Sequence, residues 1–227
     1  MKSLSIFIGV LVASLGFTSL GFSDTGGKRQ GHFSLGLHGG GAIGLEGEGI
    51  DGFKDTEFTL GPMYGVSAMY RLPNGYALEV VIERIKMDLE ENNDEFGELK
   101  ITPVMLLFKY QGFPNRFRGK GFTGHAQIGG GYAFTHFSTG GFVSDLERNS
   151  GVKIDVETDD SFVFEMGGGL DYFFSPHISM NADIRFMYLD VDTDWTVKGG
   201  SSNSTISNID KFQASHFQFF GGLRYWF

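Results

Sequence analysis

Cysteine is absent from this chain of 227 residues, and proline is scarce, with only 5 residues. The lack of cysteine excludes a disulfide scaffold, a cysteine-bound metal and a cysteine-linked lipid anchor. Basic residues are outnumbered, since 18 Lys and Arg stand against 27 Asp and Glu, and no nucleic-acid motif occurs, so a nucleic-acid partner is not expected. Beyond the N-terminus no stretch approaches ~18 continuous apolar residues, which excludes a transmembrane helix there.

Glycine and aromatic residues are abundant instead, with 35 Gly, 24 Phe and 8 Tyr. This combination favours a strongly curved β-structure over a helical one. The near-neutral mean hydropathy of −0.08 is compatible with a membrane barrel, because strands that alternate apolar and polar residues average out. The length suits one domain.

The N-terminus is typical of a targeting segment. Lys2 supplies a positive charge, residues 4–17 form an apolar run, and Gly21-Phe22-Ser23 offers a small-x-small cleavage pattern. We therefore expect a cleaved signal peptide at residues 1–23 and a single barrel domain at residues 24–227. A retained anchor is the alternative, which the shortness of the run and its few flanking charges disfavour.

Residues 211–227 form the most regular β-pattern of the chain. Alternate positions from Phe217 to Phe227 are aromatic or apolar except for one glycine, and the positions between them are mixed. This period of two predicts a β-strand with one apolar, largely aromatic face. An aromatic terminus suits a strand that closes a barrel and faces lipid, whereas a buried strand of a soluble sandwich is the alternative.

Seven further stretches alternate in the same way, which predicts an all-β fold: an eight-stranded antiparallel transmembrane β-barrel. Tight turns are predicted at residues 73–75 and 175–177, and an intermediate connection at 112–120. Longer loops are predicted at residues 46–56, 90–98, 139–159 and 193–210. Short periplasmic turns alternating with longer extracellular loops are typical of outer-membrane barrels. The predicted strands cover about residues 31–45, 57–72, 76–89, 99–111, 121–138, 160–174, 178–192 and 211–227.

The two faces of these strands differ in chemistry. The aromatic face has tyrosine at several strand ends, as an interfacial belt would. The other face carries charged side chains, which would cost about 2–4 kcal/mol each at a lipid-facing midplane and must therefore face the lumen. A soluble lipocalin-like barrel would have the opposite arrangement. In the strand at 99–111 both faces are apolar, and we place Lys109 in the lumen and Val104, Leu106, Phe108 and Tyr110 outside.

The second half of the chain resembles the outer membrane protein W (OmpW) family. The resemblance rests on the Gly129-Gly130-Gly131-Tyr132 segment, on Gly167-Gly168-Gly169-Leu170-Asp171-Tyr172, on Asn181-Ala182-Asp183-Ile184-Arg185-Phe186 and on Gly222-Leu223-Arg224-Tyr225-Trp226-Phe227. It implies an eight-stranded outer-membrane barrel whose narrow lumen carries small hydrophobic compounds that leave sideways into the membrane. Gly222, Tyr225 and Phe227 resemble the C-terminal signal that the outer-membrane assembly machinery reads, although Phe220 stands where a polar residue is usual.

Charged residues are expected in the lower lumen, near the end that holds both termini. Opposite charges in so narrow a barrel should pair, because a buried unpaired charge is costly. We predict a polar plug rather than a water channel, since eight strands leave room only for side chains. A proton or ion path through the plug is the less favoured alternative. The predicted plug consists of Arg71, Glu79, Glu83, Lys109, Asp171, Asp183, Arg185 and Arg224.

Higher in the lumen the inward residues become apolar, which leaves two interpretations. A cup open to the outside could bind a small apolar molecule, or the residues could simply pack together. If the floor is closed, a ligand would have to leave laterally. The predicted ligand-binding residues are Ile85, Met87, Leu89, Met105, Met187, Leu189 and Val191.

These features predict a function in binding or passive passage of small hydrophobic molecules in the outer membrane of a Gram-negative bacterium. The alternative is a structural or adhesive barrel that presents acidic extracellular loops. The chain is not expected to be an enzyme, because no G-x-S-x-G motif and no committed Ser-His pair occurs. No cofactor or metal is expected, although the acidic loops could hold divalent cations. The expected partners are outer-membrane lipid, lipopolysaccharide and the assembly machinery.

Overall fold

The computed structural model describes residues 33–44, 56–58, 60–72, 75–91, 94–111, 120–140, 148, 151–199 and 205–227. The predicted signal peptide at residues 1–23 lies outside these residues, as do residues 46–55, 73–74, 92–93, 112–119, 141–147, 149–150 and 200–204 of the predicted loops and turns. In this part of the chain no helix is long and apolar enough to cross a membrane. The strands are β1 (Phe33–Gly44), β2 (Thr56–Phe58), β3 (Gly61–Arg71), β4 (Tyr76–Glu91), β5 (Asp94–Gln111), β6 (Gly121–Thr139), β7 (Val152–Thr158), β8 (Ser161–Phe173), β9 (Ile178–Gly199), β10 (Thr205–Gln213) and β11 (His216–Trp226).

Eight of these strands close into an antiparallel barrel, which confirms the predicted fold class. The order around the wall is β11, β1, β3, β4, β5, β6, β8 and β9, and β9 pairs with β11 to close the ring. Ser34 at the start of β1 lies opposite Trp226 at the end of β11. Both ends of the described chain therefore lie at one rim, which we call the lower end.

The other three strands extend the wall at the upper end. β2 pairs with β4, while β7 and β10 flank the upper half of β9 in a three-stranded ribbon. The predicted loops at residues 139–159 and 193–210 are therefore wrong in part, because they contain β7, the end of β9 and the start of β10. The predicted loop at 90–98 is also too long, since β4 runs to Glu91 and β5 begins at Asp94.

Short connections join strands at the lower end. Gly75, between β3 and β4, has a φ of 87°, a left-handed conformation that suits a residue without Cβ. Between β8 and β9, Phe174 donates a backbone hydrogen bond to Ile178 (3.0 Å), and the hydroxyl of Ser175 accepts one from the Ile178 amide (3.1 Å). These connections bring their strands together without a long loop.

The exterior of the barrel is apolar and the charged side chains of the barrel wall lie inside, as the alternation predicts. Leu37, Phe122, Phe162 and Leu223 are each more than 60% exposed, whereas every residue of the predicted polar plug is buried. The strand at 99–111 has the predicted orientation, with Leu106, Phe108 and Tyr110 exposed and Lys109 buried. A barrel with this distribution is stable only if the apolar exterior faces lipid.

Candidate functional site: a two-layered lumen

The lower lumen is filled by ion pairs that reach across the barrel. Glu79 on β4 accepts from Arg224 on β11 (Oε1 to Nη2, 2.5 Å) and lies 3.0 Å from Nζ of Lys109 on β5. All three side chains are at most 5% exposed. One carboxylate therefore compensates two buried cations. Arg71 lies beside this group, with its guanidinium carbon 4.2 Å from the ring centroid of Trp226, a cation–π geometry.

A second group surrounds Arg185, on β9. Its Nη1 lies 2.9 Å from Oε1 of Glu83 and 3.3 Å from Oε1 of Glu165. Its guanidinium carbon lies 4.0 Å from the ring centroid of Phe220, so the ring covers one face of the cation. Nε2 of His38 lies 2.8 Å from the same Glu83 oxygen. Phe220, the departure from the usual C-terminal signal, is thus an inward residue of the lumen.

The third group is centred on His125, on β6. Its Nδ1 lies 2.9 Å from Asp171 and its Nε2 lies 2.6 Å from Asp183. Asn181 donates to the second oxygen of Asp183. Gln111 donates to Asp171 (2.9 Å). The oxygen of the Gln111 amide accepts from Arg71 (2.8 Å), which joins this group to the first one.

These contacts account for every residue of the predicted plug. The structure brings Arg71, Glu79, Glu83, Lys109, Asp171, Asp183, Arg185 and Arg224 into the lumen, each with a polar or charged partner. The predicted plug did not include His38, Gln111 and Glu165. These three residues occupy inward-facing positions of β1, β5 and β8, so the alternation of the strands could have identified them. What the pattern could not give is the pairing across the lumen.

Charge balance in the lumen bears on the protonation state of His125. Among the described residues, the buried permanent cations are four arginine and lysine side chains, and the buried carboxylates are five. Both ring nitrogens of His125 face carboxylates, and only an imidazolium has two N–H donors. A positively charged His125 therefore matches both of its acceptors and offsets the fifth buried carboxylate. The cations are Arg71, Lys109, Arg185 and Arg224, and the carboxylates are Glu79, Glu83, Glu165, Asp171 and Asp183.

We expect nuclear magnetic resonance of ¹⁵N-histidine-labelled protein at pH 7 to show a proton on both ring nitrogens of His125. His216 provides the control within the same chain. Its Nδ1 lies 2.8 Å from the carbonyl of Ala214 and its Nε2 lies 3.1 Å from the Gln218 amide nitrogen, an arrangement that fits a neutral ring. An unprotonated nitrogen at His125 under the same conditions would contradict the charge balance.

The upper lumen is apolar and tightly packed. Ile85, Met87, Met105, Met187, Leu189 and Val191 belong to one buried cluster, and none is more than 1% exposed. The side chain of Leu89 lies outside the described residues. The cluster also contains Met63, Val163 and Phe137. The residues predicted to bind a ligand thus lie together, in contact with one another.

The wall beside this apolar layer is incomplete between β6 and β8. Their ladder ends where Ala133 lies opposite Ser161, although β6 continues to Thr139. Above that point β7 pairs with β9. Side chains join the two sides instead: the Thr135 hydroxyl donates to the carbonyl of Asp159 (2.9 Å), and the Thr135 amide donates to the carboxylate of Asp160 (3.1 Å).

Glycines bring β6 unusually close to β5, its other neighbour. A Cβ added to Gly131 would collide with the backbone of Val104 and Met105 on β5. The Gly129-Gly130-Gly131 motif is therefore a place of close strand approach, which explains its small residues.

The lower end of the exterior is marked by aromatic side chains. At the lower end Tyr225 and Phe227 point outward with ring centroids 5.0 Å apart, and the Phe227 amide donates to the carbonyl of Phe33 (3.0 Å). Gly222 lies on the same strand. Recognition of Gly222, Tyr225 and Phe227 by the assembly machinery stays a prediction. The described residues hold no group of three or more His, Cys, Asp or Glu side chains suited to a metal ion.

A closed eight-stranded barrel with an apolar exterior, charged side chains in its lumen and an aromatic lower end defines the class of outer-membrane β-barrels. Comparison with solved structures agrees with this class. The outer membrane protein OprG from Pseudomonas aeruginosa is similar with a TM-score of 0.66 and 18% identity, over 88% of this chain and 99% of OprG. The E. coli outer membrane protein W matches at a TM-score of 0.41 and 18% identity, over 87% of this chain and 98% of that one. Neisserial surface protein A matches at a TM-score of 0.48 and 13% identity, over 86% of this chain and 97% of that one.

The similarity to OprG confirms the fold. No family model matches the chain, and no curated protein matches it in sequence.

Proposed function

We propose that this barrel binds small hydrophobic molecules in its upper lumen and passes them sideways into the outer leaflet of the membrane. The observation that carries the proposal is the division of the lumen into an apolar upper layer above a floor of ion pairs. An apolar solute would gain little from the charged floor and much from the upper layer. The floor would stop passage straight through the barrel.

The composition of the upper layer supports the proposal further. Met63, Met87, Met105 and Met187 contribute four flexible side chains to the buried cluster. Methionine repacks at low cost, so a packed cluster of this kind can admit a ligand by rotamer changes. The interruption between β6 and β8 lies next to Val163 and offers a lateral exit that is held by side-chain hydrogen bonds instead of a ladder. We include in the proposal a cleaved signal peptide at residues 1–23 and a location in a Gram-negative outer membrane.

We expect Leu189→Lys to abolish most uptake of a small apolar fluorophore into proteoliposomes that contain the barrel. Leu189 is fully buried in the apolar layer, so a lysine there places a charge where the solute would bind. Leu60→Lys makes the same exchange at an exposed position before β3 and should leave uptake unchanged. Heat-modifiable gel mobility reports whether each variant is folded, and Met187→Gln serves as a milder second variant.

Uptake by the native barrel no faster than into empty liposomes would contradict the proposal. The structural or adhesive barrel would then be the better account, because β7, β9 and β10 form a ribbon above the wall that could present a surface to the outside.

A further inference from the structure

The outer surface of β4 and β5 carries a basic area at one height, which we call the rim cluster and define as Arg84, Lys86 and Lys100. Lys86 and Lys100 lie directly opposite each other in the β4–β5 ladder. Arg84 donates from Nη1 to the hydroxyl of Thr102 on β5 (2.5 Å), so its guanidinium lies across the strand boundary. The exposed His136 of β6 lies opposite Lys100 on the other side.

The rim cluster lies about one membrane thickness above the lower aromatic end. Tyr76 and Tyr110 are paired and exposed at the bottom of β4 and β5. From Tyr76 to Lys86 the strand rises about 33 Å at roughly 3.3 Å per residue. With a tilt of about 40°, this is about 25 Å along the barrel axis, the height of the lipid-facing band of outer-membrane barrels. The rim cluster is therefore at the level of the lipid headgroups of the outer leaflet.

Among the side chains that the structure describes, the charges of the rim cluster are only partly compensated. The carboxylate of Glu98 lies 3.1 Å from Nζ of Lys86 and 2.5 Å from Nζ of Lys100. One carboxylate therefore pairs with two ammonium groups whose residues lie opposite each other in the ladder. Like charges directly opposite each other destabilise a sheet. With Asp88 opposite Glu98, three permanent cations stand against two carboxylates. Counted over these described side chains, the area is net positive on a chain of formal charge −9.

No other part of the described barrel wall offers such a surface. Below the upper ribbon, the remaining arginine and lysine side chains of the barrel strands point into the lumen: Arg71, Lys109, Arg185 and Arg224. Elsewhere on the upper wall the exposed residues include the acidic Asp160, just before β8, and Asp190 of β9. A cationic area confined to β4 and β5 is therefore a local feature of the rim.

We propose that the rim cluster binds the phosphate groups of lipopolysaccharide in the outer leaflet. A phosphate monoester carries more than one negative charge, which balances the surplus, and it accepts several hydrogen bonds from guanidinium and ammonium groups. The apolar surface below the rim cluster, with Ile82 and Val104 beneath Lys86 and Lys100, provides a wall for the acyl chains. The occupant is thus a lipid with a phosphorylated headgroup.

Binding of lipid A to the detergent-solubilised full-length barrel tests the proposal, with native mass spectrometry as the measurement. Lys86→Gln/Lys100→Gln removes two cations from the rim cluster, and Lys120→Gln/Lys153→Gln removes two from exposed positions elsewhere. Each basic residue near an anionic lipid surface contributes enough that losing two should weaken bisphosphorylated lipid A about 30-fold. The control variant should bind like the native barrel.

Equal affinities of the rim variant and the control would overturn the proposal. So would equal binding of lipid A from which the phosphates have been removed, because the phosphates are the groups recognised. Competition by inorganic phosphate alone at concentrations that match lipid A would overturn the assignment to a lipid. Heat-modifiable mobility of both variants establishes that any loss of binding occurs in a folded barrel.

Discussion

Glu79→Gln should lower the free energy of unfolding by about 3–5 kcal/mol, the usual cost of breaking a buried ion pair by removing one partner. Glu79 is the carboxylate shared by Lys109 (3.0 Å) and Arg224 (2.5 Å), and none of the three side chains reaches solvent appreciably. Glutamine keeps the shape and removes the charge. Two cations then remain buried in a narrow lumen with no anion between them.

Urea titration of the barrel in lipid vesicles measures this loss, with tryptophan fluorescence as the signal. Trp226 lies near the same group, since its ring is 5.9 Å from the guanidinium carbon of Arg224. Glu98→Gln is the matched control, because its partners are partly exposed and such pairs contribute less than about 1 kcal/mol. In Glu79→Gln/Lys109→Met one of the stranded cations is gone, and part of the stability should return. A loss no larger than that of the control would contradict the buried pairing.

Arg185→Met should be destabilising to a similar extent, about 3–5 kcal/mol, for the opposite reason. It leaves Glu83 and Glu165 as neighbouring buried carboxylates without their shared cation (2.9 and 3.3 Å). It also removes the cation that lies over the ring of Phe220. The same urea titration measures the effect.

A second substitution separates charge from packing at this position. Arg185→Met/Glu165→Gln removes one of the two carboxylates and should recover part of the loss, whereas a packing defect would persist. Arg84→Met, at the outer surface, is the matched single control and should cost far less. If the double variant is no more stable than Arg185→Met, the charge explanation fails.

The barrel could be predicted from the sequence because its signal is local. A period of two needs only neighbouring residues, and it gave the faces of β4 and β11 correctly. It also placed Lys109 in the lumen in a strand that is apolar on both faces, since the alternative would put an amine in lipid. The energetic penalty for charge in lipid made the inside and outside unambiguous.

The upper ribbon was missed because polar strands look like loops. Residues 152–158 and 193–199 are rich in Asp, Glu, Thr and Lys, and loop composition outweighed a weaker alternation. Val152, Ile154 and Val156 do alternate, as do Trp195 and Val197 on the partner strand, so the signal existed. This alternation could not predict where the strands of the ribbon begin and end, because a strand outside the membrane needs no continuous apolar face.

The partners within the lumen could not be predicted for a different reason. Arg224 on β11 meets Glu79 on β4, three strands away around the wall. Which inward charges meet depends on the stagger of all strands between them, and a shift of two residues in one ladder would exchange partners without altering any face. The alternation predicted the members of the plug but not their pairs.

The seam between the first and last barrel strands has a consequence for biogenesis. Ser34 pairs with Trp226 and Gly44 with His216, so closure joins segments separated by almost the whole described chain. The ring cannot form while the chain is still emerging from the ribosome, and every earlier strand presents an open edge until β11 arrives. We expect the polypeptide to require a holding partner that shields those edges during export, and its folding to be limited by that final pairing.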